Sequence, residues 1–112
     1  MSETLKDLDP GVQSALRELM QDDYPLLLDT FVQDAHKRLE ALALGLEQQQ
    51  WDTFRHAAHS FKGSCGNMGA LALQQACERA EQAALRVDAE AASQAYLEIR
   101  RLYQRVQLQL QA

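Results

Sequence analysis

The sequence is poor in residues that interrupt helices or favour strands. Only two of its 112 residues are proline, Pro10 and Pro25, and only eight are β-branched. Since proline breaks helix interiors and β-branched side chains favour strands, this scarcity argues against a β-sheet protein. Leu, Ala and Gln are abundant instead, with 18, 17 and 14 copies, and all three suit helices. The composition predicts an all-α fold.

Long hydrophobic runs and an excess of positive charge are also missing. No apolar run approaches the length of a membrane span, and the acidic residues 1–11 contain no hydrophobic segment typical of a signal peptide. The formal net charge of −5 argues against nucleic acid and anionic membrane as partners, because both reward a basic surface. We therefore expect a soluble, cytoplasmic monomer with a single domain over residues 1–112.

Cysteine is scarce as well. Cys65 and Cys77 match neither a zinc-binding spacing nor a dense disulfide framework. They lie on either side of the glycine at position 69, so they are expected to face each other across two consecutive helices. We interpret them as reduced core residues.

Apolar residues recur at spacings of three and four along most of the chain, the pattern of helices packed in a bundle. A short first helix is predicted over about residues 12–20, and the bundle core over about residues 22–110. The predicted stripes are Val12, Leu16, Leu19; Leu28, Val32, Ala35, Leu39, Leu42, Leu46; Phe54, Ala58, Phe61, Cys65, Met68; Leu73, Cys77, Ala80, Ala84, Val87; and Ala92, Tyr96, Ile99, Tyr103, Val106, Leu110. Four long amphipathic helices with short turns predict an antiparallel up-down four-helix bundle, with the short additional N-terminal helix as a lid or side piece.

Local signals place the ends of the helices. Residues 48–51 are predicted to form the turn before the third helix, with Asp52 as its N-cap. Gly69 is predicted to end that helix, and Asp88 to cap the fifth.

The stretch AHSFKGSCGNMGA, residues 58–70, holds three of the five glycines of the chain. On a helical wheel at about 100° per residue, the apolar stripe of the third helix lies opposite His59. His59 should therefore point to solvent. The residues expected beside it on that exposed side are Arg55, His56, Lys62, Gly63 and Gly66. Because the stripe continues past Gly63 and Gly66, both glycines are predicted to lie within the helix, although a capping role for Gly66 stays open.

These residue types fit one kind of chemistry. An exposed imidazole is largely neutral at pH 7, so a ring nitrogen is available as a nucleophile. Lys62, about one turn away, could balance the charge of a phosphoryl group on His59, and missing side chains would let a second protein approach. The sequence has no GxxxxGK[ST] loop to bind ATP. The pattern favours a domain that receives its group from another protein.

The stretch also resembles the pattern AHxLKGxxxxxGA of histidine-containing phosphotransfer (HPt) domains. His59 matches the phosphorylated histidine, Lys62 the lysine that contacts the phosphoryl group, and Gly63 the glycine that leaves room for the partner. Gly69 and Ala70 match the closing pair. Phe61 departs from the usual leucine or isoleucine, on the buried side of the helix. The resemblance spans roughly residues 10–110 and is to free-standing bacterial members of the family.

The resemblance implies a phosphoryl carrier rather than an enzyme with kinase activity. Its expected partners are receiver domains: that of a hybrid sensor kinase, which would donate a phosphoryl group from an aspartyl phosphate to His59, and that of a response regulator, which would take it. No cofactor of its own is implied, and Mg²⁺ is expected on the partner receiver. The candidate docking residues are Arg55, His56, Gly63 and Gly66.

Two other functions remain open from the residues alone. His56 and His59 have an HxxH spacing and could share a metal ion, with His36 as the only other histidine. That metal-binding bundle would lack the Glu-x-x-His motifs of di-iron bundles. A helical adaptor with a degenerate motif, which binds partners without phosphotransfer, is the second alternative.

Overall fold

The computed structural model describes residues 6–111, and all of its regular structure is helical. The five α-helices are α1 Pro10–Met20, α2 Tyr24–Glu47, α3 Trp51–Met68, α4 Leu71–Leu85 and α5 Ala89–Leu110, with a 3₁₀ turn, Gln21–Asp23, before α2. α3 packs on α2 and α4, and α5 closes the bundle against α4 and α2. The predicted all-α, up-down four-helix bundle with a short N-terminal helix is confirmed. The sequence-based expectation of no signal segment falls partly on residues 1–5, which lie outside the described residues.

The core follows the predicted stripes closely in α3. Phe54, Phe61 and Cys65 are fully buried, and an aromatic cluster joins Phe61 to Phe31 of α2 and Tyr103 of α5, with ring centroids 6.1–6.4 Å apart. Phe31 was not on the predicted stripe of α2. Because three helices meet at this cluster, it fixes the face of α3 that points inward and the face that points to solvent.

Two residues of the predicted stripes are exposed to solvent. Leu19 is 79% exposed, because α1 turns Gln13 rather than Leu19 into the protein. Val87 is 61% exposed, since α4 ends at Leu85 and Val87 lies in the following turn with a φ of 53°. Both errors came from extending a helical period to the end of a helix, where packing no longer requires it.

The helix ends confirm two predictions and correct one. The carboxylate of Asp88 accepts a hydrogen bond from the backbone N–H of Ala91 and so caps α5. Gly69 ends α3 in the left-handed conformation, with a φ of 73°. Asp52, however, is not the N-cap of α3, because the helix begins one residue earlier at Trp51. Asp52 lies in the first turn, where its charge is favourable to the helix dipole.

The short helix α1 is attached to the turn between α3 and α4. The backbone N–H of Asp9 donates to the carbonyl of Gly69 at 2.8 Å, and the buried Gln13 side chain donates to the carbonyl of Met68 at 2.7 Å. The hydroxyl of Tyr24 donates in turn to the amide oxygen of Gln13. The bond from Gln13 satisfies the carbonyl of Met68, which has no acceptor role within α3 because it is the last residue of the helix. These bonds hold α1 over one end of the bundle.

Cys65 and Cys77 are buried, free thiols that contact each other across α3 and α4, as predicted. Burial, reinforced by the neighbouring Cys77, raises the pKa of the Cys65 thiol. A buried thiol of this kind stays protonated and behaves as a small apolar side chain. None of the helices within residues 6–111 combines the length and apolar character needed to cross a membrane.

Candidate functional site

His59 lies in the middle of α3, on the side opposite its core stripe. The residues that fix this orientation are the buried Phe54, Ala58, Phe61, Cys65 and Met68. With these side chains inside the bundle, the side chain of His59 is 63% exposed. The position predicted from the helical wheel agrees with the structure.

A carboxylate from the neighbouring helix holds the imidazole of His59. Oε2 of Glu81, on α4, lies 2.9 Å from Nδ1 of His59. The other oxygen of the same carboxylate, Oε1, accepts a hydrogen bond from Nζ of Lys62 at 2.7 Å. Glu81 is only 9% exposed, so it is a largely buried charge that touches both the histidine and the lysine of the sequence motif.

Lys62 is engaged by two carboxylates. Besides its bond to Glu81, Nζ donates to Oε2 of Glu78 at 2.8 Å. The hydrogen bonds to Glu78 and to Glu81 raise the pKa of Lys62. The hydrogen bond from Lys62 lowers the pKa of Glu81, against an opposing effect of burial, and the bond from His59 lowers it further. Lys62 and Glu81 are therefore both charged at neutral pH, and the ammonium of Lys62 is already paired with two carboxylates.

The charge of Glu81 decides which nitrogen of His59 carries the proton. An ionised carboxylate can only accept hydrogen bonds, so Nδ1 of His59 must be the donor in this contact. In the neutral imidazole the other nitrogen, Nε2, then has a lone pair. With Nδ1 turned to Glu81, Nε2 is the nitrogen left for an incoming group.

The glycines of the motif differ from one another in their surroundings. A Cβ atom built on Gly63 would meet nothing within 4 Å, so this position opens directly to solvent. A Cβ on Gly66 would lie 2.7 Å from Nε2 of Gln74, a flexible side chain of α4. Both glycines lie inside α3, which rules out the capping role considered for Gly66. Both were expected on the exposed side of the helix, and there Gly63 is open whereas Gly66 lies against Gln74.

The two remaining candidate docking residues lie on the turn of α3 before His59. Nη2 of Arg55 is 3.4 Å from Nε2 of His56 and 3.9 Å from the carboxylate of Asp52. His56 is exposed. The structure therefore places a second basic group beside His59 but not in contact with the Glu81 network.

Sequence reasoning missed the two glutamates of α4. Glu78 and Glu81 are three residues apart, so both face the same side of their helix. Glu81 also follows Cys77 by four residues and precedes Ala84 by three, a spacing that places an acidic residue at the edge of the core stripe. An acidic residue at a near-core position needs a partner, and this signal could have identified Glu81.

A cavity of ≈ 480 Å³ adjoins the site on the side of α4. It is lined by Lys62, Leu71, Gln74, Gln75 and Glu78. Across residues 6–111, no three His, Cys, Asp or Glu side chains are grouped so that they could hold a metal ion. The metal-binding alternative has no ligand set in that part of the chain.

Known proteins with the same architecture share this arrangement of helices. The structure of histidine-containing phosphotransfer protein B (HptB) from Pseudomonas aeruginosa PAO1 matches with a TM-score of 0.92 and 37% sequence identity, over 96% of this chain and 94% of that chain. The histidine-containing phosphotransfer protein ZmHP2 from maize matches with a TM-score of 0.79 and 21% identity, over 94% and 85% of the two chains. A putative histidine-containing phosphotransfer protein from rice matches with a TM-score of 0.78 and 21% identity, over 95% and 85%.

The bacterial match carries more weight than the plant ones, because at 21% identity the plant proteins show only the shared fold. No curated protein sequence gives a significant match. The profile of the Hpt domain covers residues 26–111, which include all four long helices from α2 onward almost completely. The chain therefore belongs to the Hpt domain family, the histidine-containing phosphotransfer proteins of phosphorelays.

Proposed function

We propose that this protein carries a phosphoryl group on Nε2 of His59 between two receiver domains. The donor is the aspartyl phosphate of a hybrid sensor kinase's receiver, and the acceptor is the receiver of a response regulator. The observation that supports this most directly is the contact between Nδ1 of His59 and Glu81. It occupies Nδ1 and leaves Nε2 as the ring nitrogen that a second protein can reach on this exposed side chain.

The transfer step needs no group beyond those two proteins and the phosphoryl donor's own metal site. The Nε2 lone pair attacks phosphorus, a bond from nitrogen to phosphorus forms, and the bond from phosphorus to the aspartyl oxygen breaks. The aspartate leaves as a carboxylate with the bonding electrons. The imidazole ring then carries a positive charge, which the carboxylate of Glu81 balances through the Nδ1 proton. Transfer to the second receiver is the reverse of this step.

Lys62 and Gly63 have separate parts in the proposal. The ammonium of Lys62 offsets the negative charge of the phosphoryl group, and two of its three protons are already bound by Glu78 and Glu81. Gly63 leaves open space on the same exposed side, so that a receiver's backbone can approach His59. Arg55, His56 and Gly66 complete the docking surface.

The protein acts in this proposal as a carrier and has no kinase activity of its own. Its chemistry is positioning and charge neutralisation, which account for most of the rate in phosphoryl transfer. It brings no cofactor, and the Mg²⁺ belongs to the partner receiver. It is expected to act as a monomer in the cytoplasm.

The test is transfer from receivers to this protein. Receiver domains encoded in the same genome are expressed singly, phosphorylated with radiolabelled acetyl phosphate and mixed with the protein. We expect at least one receiver to pass its label to the parent protein, through an acid-labile and alkali-stable linkage. His59→Gln should accept no label, and its thermal melt should match the parent's because residue 59 contributes little to the core. His56→Gln is the matched control and should still accept label on His59, although more slowly than the parent because His56 belongs to the docking surface.

Two results would overturn the assignment. Label that persists in His59→Gln, or that is lost in His56→Gln alone, would move the acceptor away from His59. A protein that binds a receiver but takes no label from any of them would be the helical adaptor considered above.

A further inference from the structure

Glu78 contacts Lys62 but has no contact with the imidazole. Its Oε2 accepts from Nζ of Lys62 at 2.8 Å, and its Oε1 accepts from Nε2 of Gln82 at 3.2 Å. Gln82 lies one turn further along α4 and so orients the Glu78 carboxylate towards the lysine. Glu81, by contrast, touches both Lys62 and His59. The two glutamates of the site therefore differ in whether they meet the reacting group.

The site carries more negative than positive charge before any phosphoryl group arrives. One ammonium, from Lys62, is shared between two carboxylates, those of Glu78 and Glu81. These groups have a net charge of −1. A phosphoryl dianion on Nε2 would have to compete with Glu78 and Glu81 for the same ammonium. Only one of the three protons of Lys62 remains for it.

The effects of the two carboxylates on a phosphorylated ring oppose each other. Glu81 accepts the Nδ1 proton and so stabilises the positive charge that the ring gains with the phosphoryl group. Glu78 makes no such contact, so its only effect on the phosphorylated form is to compete with the phosphoryl group for the ammonium of Lys62. Its removal should therefore favour the phosphorylated form without disturbing the orientation of His59.

We propose that Glu78 is a positioning residue. It holds Lys62 away from the phosphoryl group and so weakens the bond between His59 and that group. In this way Glu78 biases the carrier towards release to the next receiver. The inference rests on the proposed function, because it concerns the phosphoryl group on His59. It gives Glu78 a role in setting the direction of phosphoryl transfer.

The test uses phosphoramidate, a small donor that phosphorylates exposed imidazoles without a partner protein. At fixed phosphoramidate and ammonia concentrations, the ratio of phosphorylated to free His59 is measured by intact-protein mass spectrometry, with the label found in His59→Gln subtracted as that of the other histidines. Glu78→Gln should raise this ratio about three- to ten-fold, because a neutral amide competes less strongly than a carboxylate with the phosphoryl group for the Lys62 ammonium. The glutamine keeps the size of the side chain and an oxygen that can accept from Lys62, so only the charge changes.

Two further variants make the result specific. Glu40→Gln makes the same change in net charge on α2, beside the groove between α2 and α5, and should leave the ratio close to the parent value. Lys62→Ala should lower the ratio, and adding Glu78→Gln to Lys62→Ala should then change it by less than about two-fold. This double-variant cycle isolates the part of the effect that passes through Lys62.

The outcomes separate clearly. A ratio in Glu78→Gln no higher than in Glu40→Gln would overturn the inference, and so would a full Glu78→Gln effect in the absence of Lys62, which would indicate direct repulsion. Phosphoramidate acts without a receiver, so these results stand apart from the test of the proposed function. If phosphoramidate labels His59 with the expected pattern but no receiver transfers, the relay fails and the role of Glu78 remains.

Discussion

The middle and the end of α3 use glycine for opposite reasons. Gly63, in the middle, has helical backbone angles and open space where its Cβ would lie. Gly69, at the end, has a φ of 73°, and a Cβ there would lie 2.7 Å from Cβ of Val12. Gly69 is therefore required by the fold itself. Nothing in the described part of the chain requires Gly63, which is the position one residue after Lys62.

Gly69 and Gly63 illustrate how residues that serve the fold differ from residues that serve a partner. A residue that the fold requires should cost stability when it is replaced, whereas a residue that a partner requires should cost only function. Gly66 is intermediate, because its Cβ would meet only the movable end of Gln74. The three glycines of one helix thus form a graded series.

The largest effect on stability is expected for Gly69→Ala. A left-handed conformation costs a residue with a Cβ about 1–2 kcal/mol, and the contact with Val12 adds to that cost because the backbone of α1 must move. We expect a loss of about 2 kcal/mol or more, and a melting temperature lower by about 8 °C or more. A thermal melt measures both. Gly63→Ala is the control, and equal melting temperatures for the two variants would remove the distinction between these regions.

The second prediction concerns Gly63, where a substitution should reduce transfer without reducing stability. Gly63→Gln should stabilise the isolated protein by up to about 1 kcal/mol, since glutamine is a better helix former than glycine. Transfer from a receiver should fall by at least about ten-fold, because the added side chain holds the donor away from His59 and reaction needs a close approach. Phosphoramidate should still label the variant at the parent rate, because a small donor needs no docking surface.

Either of two results would contradict this account of Gly63. Unfolding of the variant would mean that the glycine is needed for backbone geometry. Unchanged transfer from the receiver would mean that the partner does not use the open space.

The smallest effects are expected for Gly66→Ala. The new Cβ displaces the amide of Gln74, so the gain from better helix propensity should be smaller than the gain for Gly63→Ala. In the Gln74→Ala background that contact is absent. There the stability gained by Gly66→Ala should equal the gain for Gly63→Ala to within about 0.5 kcal/mol. Receiver transfer should fall less than in Gly63→Gln, since Gly66 is two turns from His59. A melt of the four proteins checks the stability cycle, and a loss above about 2 kcal/mol in Gly66→Ala would show that the backbone cannot accept a side chain there.

Much of the fold could be predicted because helix formation and burial share one period. All five residues of the predicted α3 stripe are buried, and Asp88 and Gly69 end their helices as local chemistry indicates. The errors lie at positions where a local sequence pattern was not matched by the packing of the helices. Leu19 continued the period of α1 but remains exposed, and Asp52 could have capped a helix that in fact begins before it.

The candidate site divides in the same way. His59, Lys62 and Gly63 are close together because they lie on one helix, so their proximity follows from spacing alone. Glu78 and Glu81 come from another helix, at separations of 16 and 19 residues from Lys62. Their contacts depend on the rotation and height of α4 against α3, which no spacing within either helix specifies.

The sequence by itself determined that the chain is helical, which side of α3 faces the core, and that His59 and Lys62 share its exposed side. These features follow from interactions between residues three and four positions apart, which a helix brings together wherever it forms. The tertiary structure alone decided that Lys62 is shared between two carboxylates, that Nδ1 of His59 faces Glu81, and that Gly69 lies against α1 while Gly63 lies against nothing. The reason is that contacts between helices depend on how the whole set of buried side chains packs, and that packing fixes the distances between groups far apart in the chain.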